Sequence, residues 1–289
     1  MEIMRNPIWK AHIRDVRYFC KYLEQTDSLT FRITGTTDYE GHDLKVVREV
    51  PYVHRWTALY KSAVIAKFYQ LEYYLADNPV DTITMLTLTT FHAYDKNGRP
   101  SANSTATIPE AFETLKTGWD KLRNAIKAKG YNYVWILEPH KTGYPHIHVI
   151  ILGEVKPRHQ TALKNLWFKY GCGSAEHGAK FTAKTGPDSV KSIRNYLMKY
   201  MIKSWKDSRW TTAQLVFNAV VKKNNWKLWG STSDITEIMK RDAPPKTGID
   251  WHKTETLRPG IIPDIHGNEI VCRLSNTVWE KPEQQTLTL

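Results

Sequence analysis

The chain has 289 residues, of which 41% are hydrophobic, so it can form one large domain or two small ones around a real core. Its 41 Lys and Arg against 29 Asp and Glu give a net charge of +12. That charge, with 11 Trp and 15 Tyr, weakly favours a nucleic-acid partner, although soluble basic proteins share it. The odd, widely spaced Cys20, Cys172 and Cys272 argue against a disulfide framework and a cysteine metal site. With no apolar signal core and no membrane-length segment, we expect a cytoplasmic protein with no membrane partner.

Residues 1–78 are predicted to form a mainly helical N-terminal segment, because apolar residues recur near helical spacing over 56–75. The next stretch, DTITMLTLTT (81–90), alternates and is rich in β-branched residues, which predicts a strand. A helix is then predicted to open at Pro109 and to end at Gly130, with one apolar stripe along it.

Two further strands are predicted at YNYVWILE (131–138) and HIHVIILG (146–153), joined as a hairpin by the turn HKTGYP. A helix at 158–171, a short strand at 179–185 and a helix starting at Asp188 follow. The order over 81–204 is β-α-β-β-α-β-α. This order predicts an α+β fold with a ferredoxin-like, split βαβ antiparallel sheet.

Three parts of the chain are thus expected: the N-terminal segment 1–78, a core domain over 79–206 and a small C-terminal extension over 207–289. Within the extension, VFNAVVKKNNWKLWG is predicted to hold another helix and strand. A phosphate-binding GxxxxGK[ST] loop is absent from the sequence, so nothing in it indicates an ATPase.

Two histidines in the second hairpin strand carry the first candidate site. His146 and His148 are two residues apart, so in a strand their side chains share one face. Taken alone, they favour an ordinary polar face on a half-buried strand. Glu138 ends the preceding strand, however, and the short turn returns it beside His146. Two imidazoles and a carboxylate can bind Mn, Mg, Zn or Fe, and His140 in the turn is an alternative ligand.

The helix that starts at Asp188 carries the second candidate site. Four of its residues fall within an arc of roughly 100° beside an apolar stripe: Tyr196, Lys199, Tyr200 and Lys203. Alone, this pattern favours an amphipathic helix with tyrosines at the core margin. A tyrosine can also attack a phosphodiester, and since its pKa is near 10 it then needs a metal and a lysine to assist. Two tyrosines one turn apart would permit two successive cleavages.

Together these motifs resemble the HUH endonucleases, and among them the rolling-circle replication initiator (Rep) proteins of plasmids and viruses. MLTLTT (85–90) is similar to the first family motif and EPHKTGYPHIHVII (138–151) to the second, the histidine-hydrophobic-histidine strand. NYLMKYMIK (195–203) is similar to the third in its two-tyrosine form, as in the bacteriophage A-protein type. The resemblance covers residues 81–205.

The resemblance implies that Glu138, His146 and His148 bind Mg²⁺ or Mn²⁺. It implies that Tyr196 and Tyr200 are nucleophiles assisted by Lys199 and Lys203. Such a protein nicks single-stranded DNA at a replication origin, keeps the 5′ phosphate on tyrosine, and later rejoins strands. A host polymerase, a host helicase and the host-cell cytoplasm follow from the same resemblance.

Several residues near the proposed site are candidate DNA contacts. The basic ones are predicted to neutralise phosphates, and the threonines of the first strand to approach the DNA. These candidates are Thr87, Thr89, Lys141, Lys180, Lys184, Lys191 and Arg194.

Other functions compete with an initiator. A relaxase or a transposase uses the same chemistry on another DNA site, but relaxases often carry three clustered histidines, which this sequence lacks. A non-catalytic nucleic-acid-binding module would stack bases on exposed sheet aromatics, and no RNP-type motif supports it. An iron oxygenase with two histidines and a carboxylate usually has a β-barrel, whereas helices alternate with strands here.

Overall fold

The structure is a computed structural model that describes residues 7–26, 29–90, 107–172, 178–185, 210–240, 250–256, 261–263 and 269–271. The chain divides into two compact units. One combines Met1–Val16 with Lys61–Asp242, and the other combines Arg17–Tyr60 with Ala243–Leu289. Among the described helices, none combines the length and the apolar character that crossing a membrane requires.

The elements are numbered in chain order. The first are α1 (Pro7–Lys10), α2 (Ile13–Thr26), β1 (Thr30–Tyr39), β2 (His42–Pro51) and α3 (Ala58–Asp77). The central ones are β3 (Thr82–Thr89), α4 (Ile108–Ala128), β4 (Tyr133–Pro139), β5 (Pro145–Leu152), α5 (Pro157–Lys169) and β6 (Ala179–Thr185). The last are α6 (Thr212–Lys223), β7 (Trp229–Ser231), α7 (Ser233–Ile238), β8 (Asp250–Thr256), β9 (Ile261–Pro263) and β10 (Glu269–Val271).

The larger unit is built on a five-stranded sheet with the order β6-β3-β5-β4-β7. Every neighbouring pair in it is antiparallel. β3 and β4, which α4 connects, are separated by β5, and this is the split βαβ arrangement. The predicted α+β class and the antiparallel split βαβ sheet are confirmed.

The helix α4 forms for reasons that are visible in the sequence. Thr107 and Glu110 make a capping box at its start, where Pro109 also suits the first turn. Its predicted apolar stripe is buried: Phe112, Leu115, Trp119, Leu122 and Ile126. This stripe faces the sheet, with the Trp119 ring 5.6 Å from the rings of both Tyr133 and Trp135.

The two faces of the sheet carry different side chains, because residues alternate along each strand. Trp135 and Leu137 of β4 lie on the face covered by α4, while Ile136 and Glu138 lie on the other. On that second face α3 places Phe68 against Trp229, whose ring centroid is 5.6 Å away. The central strands β4 and β5 are thus buried almost throughout.

The N-terminal part contains strands as well as the expected helices. β1 and β2 form a long hairpin that the sequence did not reveal, and β8 pairs with the other side of β1. A two-residue turn closes the hairpin, with Glu40 at φ 53° and Gly41 at φ 81°. The signal is weak because polar residues interrupt the apolar alternation, and because the partner β8 lies far along the chain.

Part of the C-terminal region agrees with its prediction. The expected helix and strand are α6 and β7, and β7 joins the core sheet beside β4 with Trp135 opposite Gly230. The division into 1–78, 79–206 and 207–289 stays a prediction.

Candidate metal centre

The register of the β4–β5 hairpin brings three polar side chains together on one face of the sheet. Glu138 pairs directly with His146, and Ile136 pairs with His148. On the other side of β5, His148 pairs with Thr87 and His146 with Thr89. Cross-strand partners share a face, so the predicted convergence follows from the strand pairing alone.

The turn between these strands is fixed by its surroundings. The backbone N–H of Gly143 donates to the carbonyl of His140 (2.9 Å), and Gly143 has φ 90°, which favours glycine. A Cβ there would lie 3.2 Å from the Ala213 carbonyl oxygen of α6. From the N-terminal side, the Trp9 indole donates to the carbonyl of Thr142 (2.9 Å). Both contacts hold the loop that joins Glu138 to His146.

The three side chains form a tight, buried cluster. Oε1 of Glu138 lies 2.7 Å from Nε2 of His146 and 2.9 Å from Nε2 of His148. The imidazole centroids are 4.7 Å apart. Glu138, His146 and His148 are only 4%, 8% and 7% exposed, which is unusual for an acid and two bases without a role.

The electrostatics of the cluster keep the carboxylate charged. Burial of Glu138 raises the pKa of its carboxyl, but hydrogen bonds and charges from His146 and His148 act against this, and the net pKa is lowered. Oε1 accepts both hydrogen bonds. Oε2 is buried and has no hydrogen-bond partner among the residues that the structure describes. A buried carboxylate oxygen of this kind calls for a partner such as a cation.

These residues fit a divalent metal ion. One ligand atom from each of Glu138, His146 and His148 lies within 4.8 Å of the others. Both Nε2 atoms face the carboxylate, so loss of their protons would turn two donors into two ligands beside an anionic oxygen. Carboxylate and imidazole suit several first-row metals as well as Mg²⁺, and the donor set alone does not select one.

Thr87 adds a neighbour that sequence reasoning placed near DNA instead. Its hydroxyl lies 3.2 Å from Nδ1 of His148. A proton on Nδ1 can be donated to this hydroxyl, which leaves Nε2 of His148 for a metal. The signal that finds this contact is the pairing of β3 with β5, which a single strand pattern does not contain.

His140, the alternative ligand, lies beside the cluster. Its ring centroid is 6.1 Å from that of His146, and its Nδ1 is 3.3 Å from the Thr142 hydroxyl. Burial lowers the pKa of His140, and the charges of His146 and Lys141 lower it further against the opposing effect of Glu138. A neutral imidazole therefore borders the cluster.

Several candidate DNA contacts lie in described parts of the chain. Lys180 and Lys184 on the edge strand β6 pair with Thr87 and Ile83, so they share the face of the cluster, and both are exposed. Thr89 pairs with His146 on that face. Lys141 is exposed in the hairpin turn. Six other candidates lie outside the described residues: Lys191, Arg194, Tyr196, Lys199, Tyr200 and Lys203.

Comparison with known proteins points to one family. A family model of replication-associated proteins, the one described by the open-reading-frame name ORF2, matches residues 83–205. That segment runs from β3 past β6 and includes the cluster. No curated protein and no solved structure matches the chain. Over this central segment the chain is similar to rolling-circle replication proteins, and the similarity indicates a replication initiator that binds origin DNA.

Proposed function

We propose that this chain is a metal-dependent single-strand endonuclease and strand transferase of the HUH type, which starts rolling-circle replication at an origin. One observation carries the proposal. The buried cluster of Glu138, His146 and His148 lies inside the segment that matches replication-associated proteins. A metal-binding group with a nearby tyrosine is the equipment that a strand-nicking initiator needs.

The cluster is proposed to hold Mg²⁺ or Mn²⁺ through Glu138, His146 and His148. When bound, such an ion polarises the scissile phosphate and stabilises its developing negative charge. The chain supplies a fixed geometry, since the hairpin register sets the three side chains and Thr87 orients one imidazole.

The nucleophile is proposed to be Tyr196 or Tyr200. The phenol oxygen forms a bond to phosphorus, and the bond from phosphorus to the 3′ oxygen of the neighbouring nucleotide breaks. The phenol proton is lost, and the departing 3′ oxygen takes up one proton, so the products are a 5′-phosphotyrosine and a free 3′ hydroxyl. Lys199 and Lys203 are proposed to stabilise the phenolate and to exchange these protons.

This exchange of one phosphodiester for another explains how strands are rejoined. A later 3′ hydroxyl can attack the phosphotyrosine and restore the DNA, and a second tyrosine permits another cleavage before release. In the interval the free 3′ hydroxyl would prime a host polymerase, while a host helicase separates the strands.

The strand is proposed to lie across the cluster face of the sheet. Lys180 and Lys184 support this, because the β6 register puts both on the face of the cluster. Lys141, Lys191 and Arg194 are proposed as further phosphate contacts, and Thr87 and Thr89 as residues beneath the strand.

A strand-transfer assay tests the proposal. The full chain is incubated with single-stranded oligonucleotides that tile its own replicon, with Mn²⁺ or with EDTA, and products are separated on denaturing gels. Nicked DNA and a covalent adduct should form only with metal. Both should disappear in a Tyr196→Phe/Tyr200→Phe double variant and persist in Tyr73→Phe, since Tyr73 is 64% exposed on α3. Binding without any nick or adduct would favour the non-catalytic binding module.

A further inference from the structure

A cavity lies on the face of the sheet opposite the cluster. It has a volume of about 250 Å³ and is formed by α4, the strands β4 and β5, and the connection from α6 to β7. Leu137 and Ile147 line it. Each neighbours a cluster residue in its strand and so points the opposite way. The cavity therefore belongs to a different surface from the proposed metal centre.

Three indoles line this cavity: Trp119, Trp135 and Trp226. The rings of Trp119 and Trp135 are 5.6 Å apart at 57°, and Trp226 packs at 66° on Phe112 with centroids 4.3 Å apart. Each indole is at least nine-tenths buried, so its orientation is fixed by packing. The walls of the cavity are thus rigid and aromatic.

Gly230 makes room for one of these indoles. It pairs with Trp135 across β4 and β7, and a Cβ at Gly230 would lie 2.7 Å from Nε1 of Trp135. Any larger residue would displace the ring. The strand pairing at this edge of the sheet thus accommodates the Trp135 indole.

Basic side chains surround the aromatic walls. Of the charged residues that line the cavity, Arg123 is paired with Asp120 at 3.0 Å. Lys116 and Lys227 are exposed and supply the remaining positive charge. The ammonium of Lys116 stands 5.9 Å from the centre of the Trp226 ring. Aromatic walls with two ammonium groups at the rim suit a flat, electron-rich group that carries an anion.

We propose that this cavity binds one unstacked nucleobase of a single strand, with the phosphate of that nucleotide on Lys116 and Lys227. Aromatic faces that accept any base, combined with cations for the backbone, are the general means of binding single strands. The volume lies below the roughly 300–1,000 Å³ of common ligand pockets, which limits the cavity to about one base. Trp119 Nε1 is buried and has no hydrogen-bond partner in the described part of the chain, so it can donate to a base acceptor.

This site goes beyond the proposed function, because it requires neither a metal nor a cleavage step. Its test is therefore made in EDTA. The full chain is titrated with a labelled oligothymidylate of about 12 nucleotides, within the usual site sizes for single strands. The probe variant is Lys116→Ala/Lys227→Ala. The matched control is Lys121→Ala/Lys127→Ala, which removes two exposed charges from α4 outside the cavity.

The probe variant should bind about tenfold more weakly than the control, and its slope of log K against log salt should fall by about 1.4, or roughly 0.7 for each lost phosphate contact. A strand containing 5-iododeoxyuridine should crosslink under light to Trp119, Trp135 or Trp226, as located by peptide mass spectrometry. Thymidine monophosphate as a competitor separates a free nucleotide from a strand as the source of the base.

Equal affinity and equal salt slope in the two double variants, with no crosslink to these three tryptophans, would overturn the proposal. A crosslink that persists while nicking is absent would support the cavity and remove the proposed function, so the two failures are distinguishable. Capture of an acidic peptide by the cavity in place of DNA would also overturn the proposal.

Discussion

Thr87 and His148 face each other across β3 and β5, with the threonine hydroxyl 3.2 Å from Nδ1 of the imidazole. The opposite nitrogen of the same ring, Nε2, points at Glu138 from 2.9 Å. The imidazole is therefore held at both ends, by a hydroxyl on one strand and a carboxylate on another. This arrangement orients a ligand before any metal arrives.

Replacing the Thr87 hydroxyl should weaken metal binding without unfolding the chain. Thr87→Val keeps the shape of the side chain, and we expect Mn²⁺ affinity to fall by about 10- to 100-fold, the usual cost of losing such an outer contact. Thr87→Ser should restore most of it. Titration calorimetry with Mn²⁺ measures both. Thr182→Val is the control, because Thr182 is exposed on the same face of β6. Equal affinity in Thr87→Val and Thr182→Val would remove the orienting role.

Glu138→Gln should abolish tight metal binding. The amide keeps the volume but removes the negative charge, so the affinity for Mn²⁺ should fall by more than the about 100-fold seen for outer contacts. Glu154→Gln is the matched control, since Glu154 is exposed just beyond β5. Paramagnetic resonance of bound Mn²⁺ distinguishes the two variants. Unchanged Mn²⁺ binding in Glu138→Gln would show that the ion binds elsewhere.

Gly143→Ala should destabilise the hairpin turn that carries the cluster. The positive φ alone costs about 1 kcal/mol, and the Cβ would also crowd the Ala213 carbonyl at 3.2 Å. Gly153→Ala is the control, because Gly153 has φ 97° but no atom within 4 Å of its Cβ position. Urea unfolding should show a larger loss of unfolding free energy for Gly143→Ala. Equal losses would mean that the contact with α6 contributes nothing.

Cys172 should resist alkylation in the native chain. Burial raises the pKa of its thiol to about 12, so at pH 8 the reactive thiolate is rare as well as inaccessible. Peptide mass spectrometry after iodoacetamide should find Cys172 unmodified while the half-buried Cys20 reacts slowly, although burial raises the pKa of Cys20 also. Denaturant should make Cys172 as reactive as Cys20. Rapid labelling of native Cys172 would contradict its packing against α4.

The core of the fold could be predicted because its signals are local. Alternation located β3, the HIHVII run located β5, and one short turn was enough to return Glu138 to His146. The same spacing therefore predicted the cluster itself. In α4 the apolar stripe at helical spacing was sufficient to define the buried face.

The features that could not be predicted depend on contacts between distant residues. Thr87 reaches His148 only because β3 lies beside β5, and sheet order is not written in any one strand. Trp9 holds the Thr142 carbonyl from 133 residues away. The β1–β2 hairpin is completed by β8 from the far end of the chain. The roles of Tyr196 and Tyr200 stay predictions, because both lie outside the described residues.

The most direct test of the central claim is to identify the covalent link itself. Wild-type chain is reacted with origin oligonucleotides and Mn²⁺, digested with protease and nuclease, and searched by mass spectrometry for nucleotide-bearing peptides. The account predicts a nucleotide joined through a 5′ phosphate to Tyr196 or Tyr200, absent with EDTA and absent in Glu138→Gln. A link to another residue, or an equal yield in EDTA, would contradict it.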